Sequence, residues 1–146
     1  MNTAQILESY AAHCVSTLTE HGRARRFCHN AGIRQRFVFE SFSIGFSDGS
    51  ITDMAAENES LSRGLEEVGI LADGRDMLKG CITIPVLDEN KVPVTVVGYS
   101  IYPQRKDRLV WGSPNGIFNA PFLRNTDELI FTDNPMHALA LVSAEV

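Results

Sequence analysis

The sequence lacks long apolar runs and the features of a secretion signal, and these absences argue against a membrane or a secreted protein. No run approaches the ~20 apolar residues that a transmembrane helix needs. Residues 1–10 have neither the basic start nor the apolar core of a secretion signal. We therefore expect a cytoplasmic protein that has no membrane partner.

Cysteine is scarce. Cys14, Cys28 and Cys81 are odd in number and widely spaced, and the chain has no C-x-x-C pair. This usage argues against a disulfide framework and a classical zinc site. The pairs His13-Cys14 and Cys28-His29 invite a metal interpretation, but neighbours on a helix point about 100° apart and cannot easily share one ion. We expect partly buried thiols without a metal.

Net positive charge is also absent. The 146 residues carry 13 Lys and Arg against 18 Asp and Glu, a net charge of −5, which argues against a generic nucleic-acid binder. The charge is unevenly placed: +3 over residues 1–36, −7 over 37–78, +2 over 79–111 and −3 beyond 111. Any contact with nucleic acid would have to use the two basic zones.

The first half of the chain has the spacing of helices. A hydrophobic content of 44% suits one domain, with room for a small appendage. Apolar residues at helical spacing predict a first helix capped by Thr3, a second over 23–30 and a third over 34–41 that buries Phe37. A fourth helix is predicted around Leu65. Residues 51–60 are polar, and residues 72–77 are predicted to form a loop.

The second half has the pattern of strands. Two β-favouring runs, 81–87 and 92–99, flank a short polar turn and predict an antiparallel hairpin. Asn90 in the turn tolerates the left-handed backbone that such turns often need. A further apolar strand is predicted over 128–132, followed by a helix from Met136. The fold class is therefore α+β: a helical N-terminal third, a central antiparallel hairpin-based sheet and a C-terminal strand–helix unit.

The order of motifs resembles the catalytic core of bacterial DNA primases. The shared motifs are Phe42-Ser43-Ile44-Gly45-Phe46, the hairpin strand that follows Lys79-Gly80, Val96-Val97-Gly98-Tyr99, Ser113-Pro114 and Ile117-Phe118-Asn119. The resemblance implies that residues 1–126 are similar to the N-terminal subdomain of that core. It also implies that residues 127–146 form the first strand and helix of an incomplete Toprim unit.

The resemblance is one of scaffold more than of functional groups. Closely spaced arginines of the family fall on Met77, Lys79 and Cys81, and another falls near Tyr102, so only one of these positions is positively charged. A Lys-Tyr-x-Asn run of the family falls on residues 109–112, which keep none of it. The helix Asp of the Toprim unit falls on His137.

A basic and aromatic patch remains as the candidate nucleic-acid site. The alternative is a solvated loop beside a core tryptophan. The helices offer a second basic face, with solvated helix surface as its alternative. The patch consists of Lys79, Arg105, Lys106, Arg108 and Trp111, and the second face of Arg23, Arg25, Arg26, Arg34 and Arg36.

Asp133 takes the position of the first metal-binding Glu of Toprim domains. The resemblance implies a metal ligand there only if a complete Toprim domain follows, and a turn or helix cap is the alternative. Mg²⁺ or Mn²⁺ is expected only for a full-length primase, and no catalytic residue is predicted in this chain.

Two hypotheses of function follow. The first is a fragment or divergent relative of a bacterial or mobile-element primase, which contributes a template-binding subdomain for RNA primer synthesis and is not catalytic by itself. The second is a non-enzymatic interaction module that keeps the primase scaffold and binds protein or nucleic acid. The expected partners are single-stranded DNA and proteins of replication or of a mobile element. An Asp-x-Asp motif after Val146 would favour the first hypothesis.

Overall fold

The computed structural model describes residues 1–112 and 134–144. A four-stranded antiparallel sheet has the order β1-β4-β5-β6, and β2 and β3 form a separate two-stranded ribbon. The α+β fold class is confirmed. The helices are α1 (Thr3–Glu20), α2 (Gly22–Asn30), α3 (Arg36–Phe42), α4 (Ile51–Glu57), α5 (Glu59–Glu67) and α6 (Pro135–Ser143), and the strands are β1 (Gly45–Phe46), β2 (Leu71–Ala72), β3 (Arg75–Asp76), β4 (Cys81–Leu87), β5 (Pro93–Ser100) and β6 (Leu109–Trp111).

The central hairpin forms as predicted, with one difference in its turn. Strands β4 and β5 pair from Cys81↔Ser100 to Leu87↔Pro93, with a bulge between Val86 and Leu87. The Asp88 carboxylate accepts the Asn90 and Val92 backbone N–H groups at 2.8 and 3.0 Å. The left-handed residue of the turn is Lys91, with φ of 64°, and not Asn90. The Asp88 bonds thus close a turn whose left-handed position lies one residue after Asn90.

Both faces of the sheet are covered. Alternation along β4 sends Ile82 and Ile84 into a cluster with α2, α3 and α6, and sends Cys81 into a cluster with α1, α4 and α5. Successive residues of this central strand can therefore contact different helical layers. Helix α1 lies directly on the sheet: a Cβ on Gly45 would be 2.5 Å from the backbone carbonyl carbon of Cys14.

Several local predictions differ from the structure. Asn2 caps α1, since its side chain accepts from the Gln5 N–H while the Gln5 side chain accepts from the Asn2 N–H. Helix α3 begins two residues later than predicted, and Phe37 is 48% exposed rather than buried. The polar stretch 51–60 contains α4, and the predicted loop 72–77 contains part of the β2–β3 ribbon.

The C-terminal unit is described only in part. Helix α6 is present, capped by Asn134, and the Ser143 hydroxyl accepts the Arg34 backbone N–H at 3.1 Å. The predicted strand 128–132 and the boundary at residue 126 lie outside the described residues. Within the described residues, no helix has the length and apolar character needed to span a bilayer.

The three cysteines are buried more deeply than expected. Each lies in one of the two apolar clusters and is a free thiol. Burial raises the pKa of Cys14 and Cys28 to about 12 and that of Cys81 to about 11, because the thiolate would lose its hydration. These side chains therefore act as small apolar groups of the core.

Candidate nucleic-acid interface

Lys79 lies on a tightly held loop between β3 and β4. The buried Asp76 carboxylate anchors this loop by accepting the Tyr10 hydroxyl at 2.9 Å, the Ser47 hydroxyl, and the Leu78 N–H at 2.8 Å. The Gly80 N–H donates to the Ser47 carbonyl at 2.7 Å. The Lys79 side chain is exposed, so a rigid backbone presents a solvated ammonium group.

Arg105 crosses from the β5–β6 loop to the same segment. Its guanidinium group donates to the carbonyls of Met77 and Lys79 and contacts Cys81 Sγ, each at 3.4 Å. These are the three positions on which the closely spaced arginines of the primase family fall. The Arg105 guanidinium group therefore places a positive charge beside Met77, Lys79 and Cys81. Of these three residues, only Lys79 is itself charged.

Arg108 is anchored by packing as well as by hydrogen bonds. Its guanidinium group donates twice to the Ser100 carbonyl, at 2.9 and 3.3 Å. It also lies 4.8 Å from the centre of the Tyr99 ring and 5.7 Å from that of Phe27 on α2. Arg108 thus joins α2 to the sheet, and its charge remains half-exposed.

The other two members of the predicted patch have contrasting surroundings. Lys106 is exposed. Trp111 on β6 is half-buried and packs against the first apolar cluster, so the core alternative accounts for its position. The structure places Arg105 against the segment that carries Lys79, Lys106 and Arg108 follow Arg105 in the same β5–β6 loop, and Trp111 lies on β6.

The arginines of the helices were predicted to form a second, separate basic face. In the structure these arginines have different surroundings. The Arg23 guanidinium group lies 4.8 Å from the centre of the Tyr102 ring, in the loop that carries Arg105. By contrast, Arg36 pairs with Glu40 on α3 at 2.8 Å. The basic surface, as the term is used below, consists of Arg23, Lys79, Tyr102, Arg105, Lys106 and Arg108.

Tyr102 was missed as a candidate. The sequence showed it only as a position where the family has a positive charge. An aromatic residue three positions before Arg105 in a basic loop was the available signal. Its contact with Arg23 depends on the packing of α2, which sequence spacing does not reveal.

The described residues do not form a metal site. Within residues 1–112 and 134–144, no group of three or more His, Cys, Asp or Glu side chains is arranged to hold an ion. Asp133, the predicted metal position, lies outside the described residues. His137 lies on α6 with its side chain exposed.

Structural comparison matches this arrangement to solved primase structures. The E. coli primase catalytic core has a TM-score of 0.79 at 15% identity, over 97% of this chain and 51% of that chain. The DnaG primase catalytic domain bound to ssDNA has a TM-score of 0.66 at 16% identity, over 75% and 38%. The RNA polymerase domain of Mycobacterium tuberculosis DnaG in complex with double-stranded DNA has a TM-score of 0.66 at 16% identity, over 80% and 39%.

This chain has the fold of the DnaG primase catalytic core. At these identities the likeness establishes the fold, and the resemblance drawn from the sequence is confirmed at that level. The chain spans about half the length of the primase cores that cover 97% of it. No model of a protein family and no curated protein sequence matches it.

Proposed function

We propose that this chain is a primase-like subdomain that binds single-stranded DNA through the basic surface. The observation that supports the proposal is the contact between two basic zones that are separate in sequence: the Arg23 guanidinium group lies 4.8 Å from the centre of the Tyr102 ring, and that of Arg108 lies 5.7 Å from that of Phe27. In this role the chain would hold template for RNA primer synthesis carried out by other catalytic groups. Its partners would be single-stranded DNA and other proteins of replication or of a mobile element.

The charges of the basic surface support this proposal. Two salt bridges occur among the described residues, Arg36–Glu40 and Arg63–Glu59, and neither includes a residue of the basic surface. Within residues 1–112 and 134–144, these five positive side chains have no paired carboxylate, and such a group of charges favours a polyanion. A strand of DNA supplies phosphates at regular spacing.

A binding titration with single-stranded DNA at two salt concentrations tests the proposal. Fluorescence anisotropy of a labelled oligothymidylate would be measured at about 50 mM and about 200 mM salt. The first variant combines Lys79→Gln with Lys106→Gln, because both side chains are exposed. We expect weaker binding and a salt dependence whose logarithmic slope falls by about 0.7 for each phosphate that the variant no longer neutralises.

The matched control combines Arg36→Gln with Arg63→Gln. It removes the same total charge from two exposed salt bridges elsewhere on the molecule. An equal decrease of affinity in both double variants would show that net charge, and not the basic surface, governs binding. Absence of binding by the wild-type chain at the lower salt concentration would refute the proposal.

A second candidate function is a non-enzymatic interaction module on the same scaffold. The observation in its favour is the substitution of phosphate-handling positions of the primase family, where this chain has Met77, Cys81 and Tyr102. Under this alternative, the basic surface would contact an acidic protein. Failure of the DNA titration, together with specific capture of a protein from the source organism, would favour it.

A further inference from the structure

Tyr102 is the aromatic side chain of the basic surface, and the backbone beside it fixes its ring. A Cβ on Gly80 would lie 2.8 Å from Tyr102 Cε2, so a glycine lets the ring lie directly against the β3–β4 loop. The φ angle of Gly80 is 83°, a conformation that also favours glycine. The ring is half-buried and has a defined position before any ligand arrives.

The Arg23 side chain contacts the Tyr102 ring, and it forms no ion pair with a carboxylate among the described residues. Its guanidinium group lies 4.8 Å from the ring centre. The side chain is exposed, and it takes part in neither salt bridge of the described residues. A long exposed side chain can leave an aromatic ring when a better partner for the charge, such as a phosphate, is available.

Two more positive groups lie beside Tyr102. Lys79 directly precedes Gly80, and its exposed side chain runs over Gly49, where a Cβ would lie 3.0 Å from Lys79 Cδ. Arg105 donates its backbone N–H to the Tyr102 carbonyl at 3.2 Å. Its guanidinium contacts with Met77 and Lys79 carbonyls are 3.4 Å long, beyond the usual range for strong hydrogen bonds, so phosphate oxygens can compete for these donors.

We propose that Tyr102, Arg23, Lys79 and Arg105 form a subsite for one nucleotide unit of single-stranded DNA. The base stacks on Tyr102 in the place that Arg23 occupies, and the three positive groups contact the adjacent phosphates. Stacking requires only a flat base, so the subsite accepts any of the four bases. The inference rests on the proposed function and adds to it the residue that engages the base.

Fluorescence of 2-aminopurine tests the stacking directly. A short oligothymidylate with one central 2-aminopurine would be titrated with wild-type protein, Tyr102→Phe and Tyr102→Leu. Stacking on the ring quenches this fluorescence, so we expect quenching by wild type and by Tyr102→Phe and its absence in Tyr102→Leu. We also expect Tyr102→Leu to weaken binding about tenfold, and Tyr102→Phe to change it about twofold or less.

Arg23→Gln and Arg25→Gln form a matched pair of controls. Arg25 lies two positions further along α2, about 200° around its axis from Arg23, and it has the same charge. We expect Arg23→Gln to weaken binding more than Arg25→Gln does. Thermal unfolding of each variant would show whether the fold is kept.

The outcomes separate this inference from the proposed function. Binding that stays unchanged in Tyr102→Leu, with full quenching, would overturn the subsite and leave the DNA-binding proposal intact. Equal effects of Arg23→Gln and Arg25→Gln would remove Arg23 from the subsite. Absence of DNA binding by the wild-type chain would overturn both proposals.

Discussion

Arg23 and Arg108 both contact aromatic rings, but the two side chains have different surroundings. Arg108 combines its ring contacts with two hydrogen bonds to Ser100, so its removal would disturb packing as well as charge. Arg23 is exposed and has its ring contact on Tyr102, a kind of interaction worth about 0.5–1 kcal/mol at exposed sites. Base stacking on an aromatic side chain is worth about 1–3 kcal/mol. These magnitudes favour the proposed exchange of Arg23 for a base on Tyr102.

The buried thiols predict a decrease of stability in alkali. The folded pKa values of Cys14 and Cys28 are raised to about 12, whereas thiols in the unfolded chain ionise near their ordinary value of about 8.5. The unfolded chain therefore releases protons first as the pH rises. The stabilisation is fully present below about pH 8.5 and declines as the pH approaches 12, by up to about 1.4 kcal/mol per pH unit for each thiol.

Urea unfolding under reducing conditions at about pH 8 and about pH 10.5 would measure this decline. The control is Cys28→Ala, which removes one ionising group from a fully buried position. We expect the stability of the variant to fall less between the two pH values than that of the wild type. An equal fall in both proteins would contradict the assignment of Cys28 to this effect.

Helix α1 determines the layering of the molecule because it lies directly on the sheet. Its backbone at Cys14 and Val15 approaches Gly45 so closely that no side chain fits between them. The Tyr10 hydroxyl of the same helix donates to the buried carboxylate of Asp76. One helix thus contacts both β1 and the segment that leads to Lys79.

We expect Gly45→Ala to destabilise the protein by about 3 kcal/mol. The added methyl group would meet backbone atoms of α1, which can move only if the whole helix shifts away from the sheet. Chemical denaturation would measure the change. Gly22→Ala is the control, because a Cβ there would meet its nearest neighbour at 4.0 Å, an ordinary contact distance. Similar stabilities for the two variants would show that α1 tolerates displacement.

The spacing of apolar residues in the sequence predicted those helices and strands that bury one side along their length. The hairpin of β4 and β5 and the helices α1, α2 and α5 are examples, because alternation or helical spacing of apolar residues marks each of them. Helix α4 was missed because its buried residues are few, Ile51 and Ala55. The exposure of Phe37 was missed because the spacing identifies an apolar side chain without showing whether another element covers it.

The candidate site was predictable in part. Lys79, Arg105, Lys106 and Arg108 were identified because positive charge near an aromatic residue is visible in the sequence. The contact of Arg23 with Tyr102 was not, because it joins residues 79 positions apart and depends on how α2 packs. Long-range packing, and not local chemistry, was the missing information.

At the scale of the whole molecule, we expect this chain alone not to polymerise nucleotides. The positions on which phosphate-handling residues of primases fall carry Met77, Cys81 and Tyr102 here, and primer synthesis needs basic groups that hold the nucleotide phosphates. The assay combines purified chain, single-stranded template, nucleoside triphosphates, and Mg²⁺ or Mn²⁺, with a full-length bacterial primase as the positive control. Primer synthesis by this chain would contradict the expectation.

The two helical layers differ in charge, and this difference has a consequence for the proposed binding of DNA. The acidic helices α4 and α5 cover one face of the sheet, whereas α2 with Arg23 lies on the other. Opposite charges on opposite faces give the molecule a dipole moment. Near a polyanion, this dipole produces a torque that turns the basic face towards the strand before contact, even though the net charge of −5 is repulsive. Productive encounters would then have a single orientation.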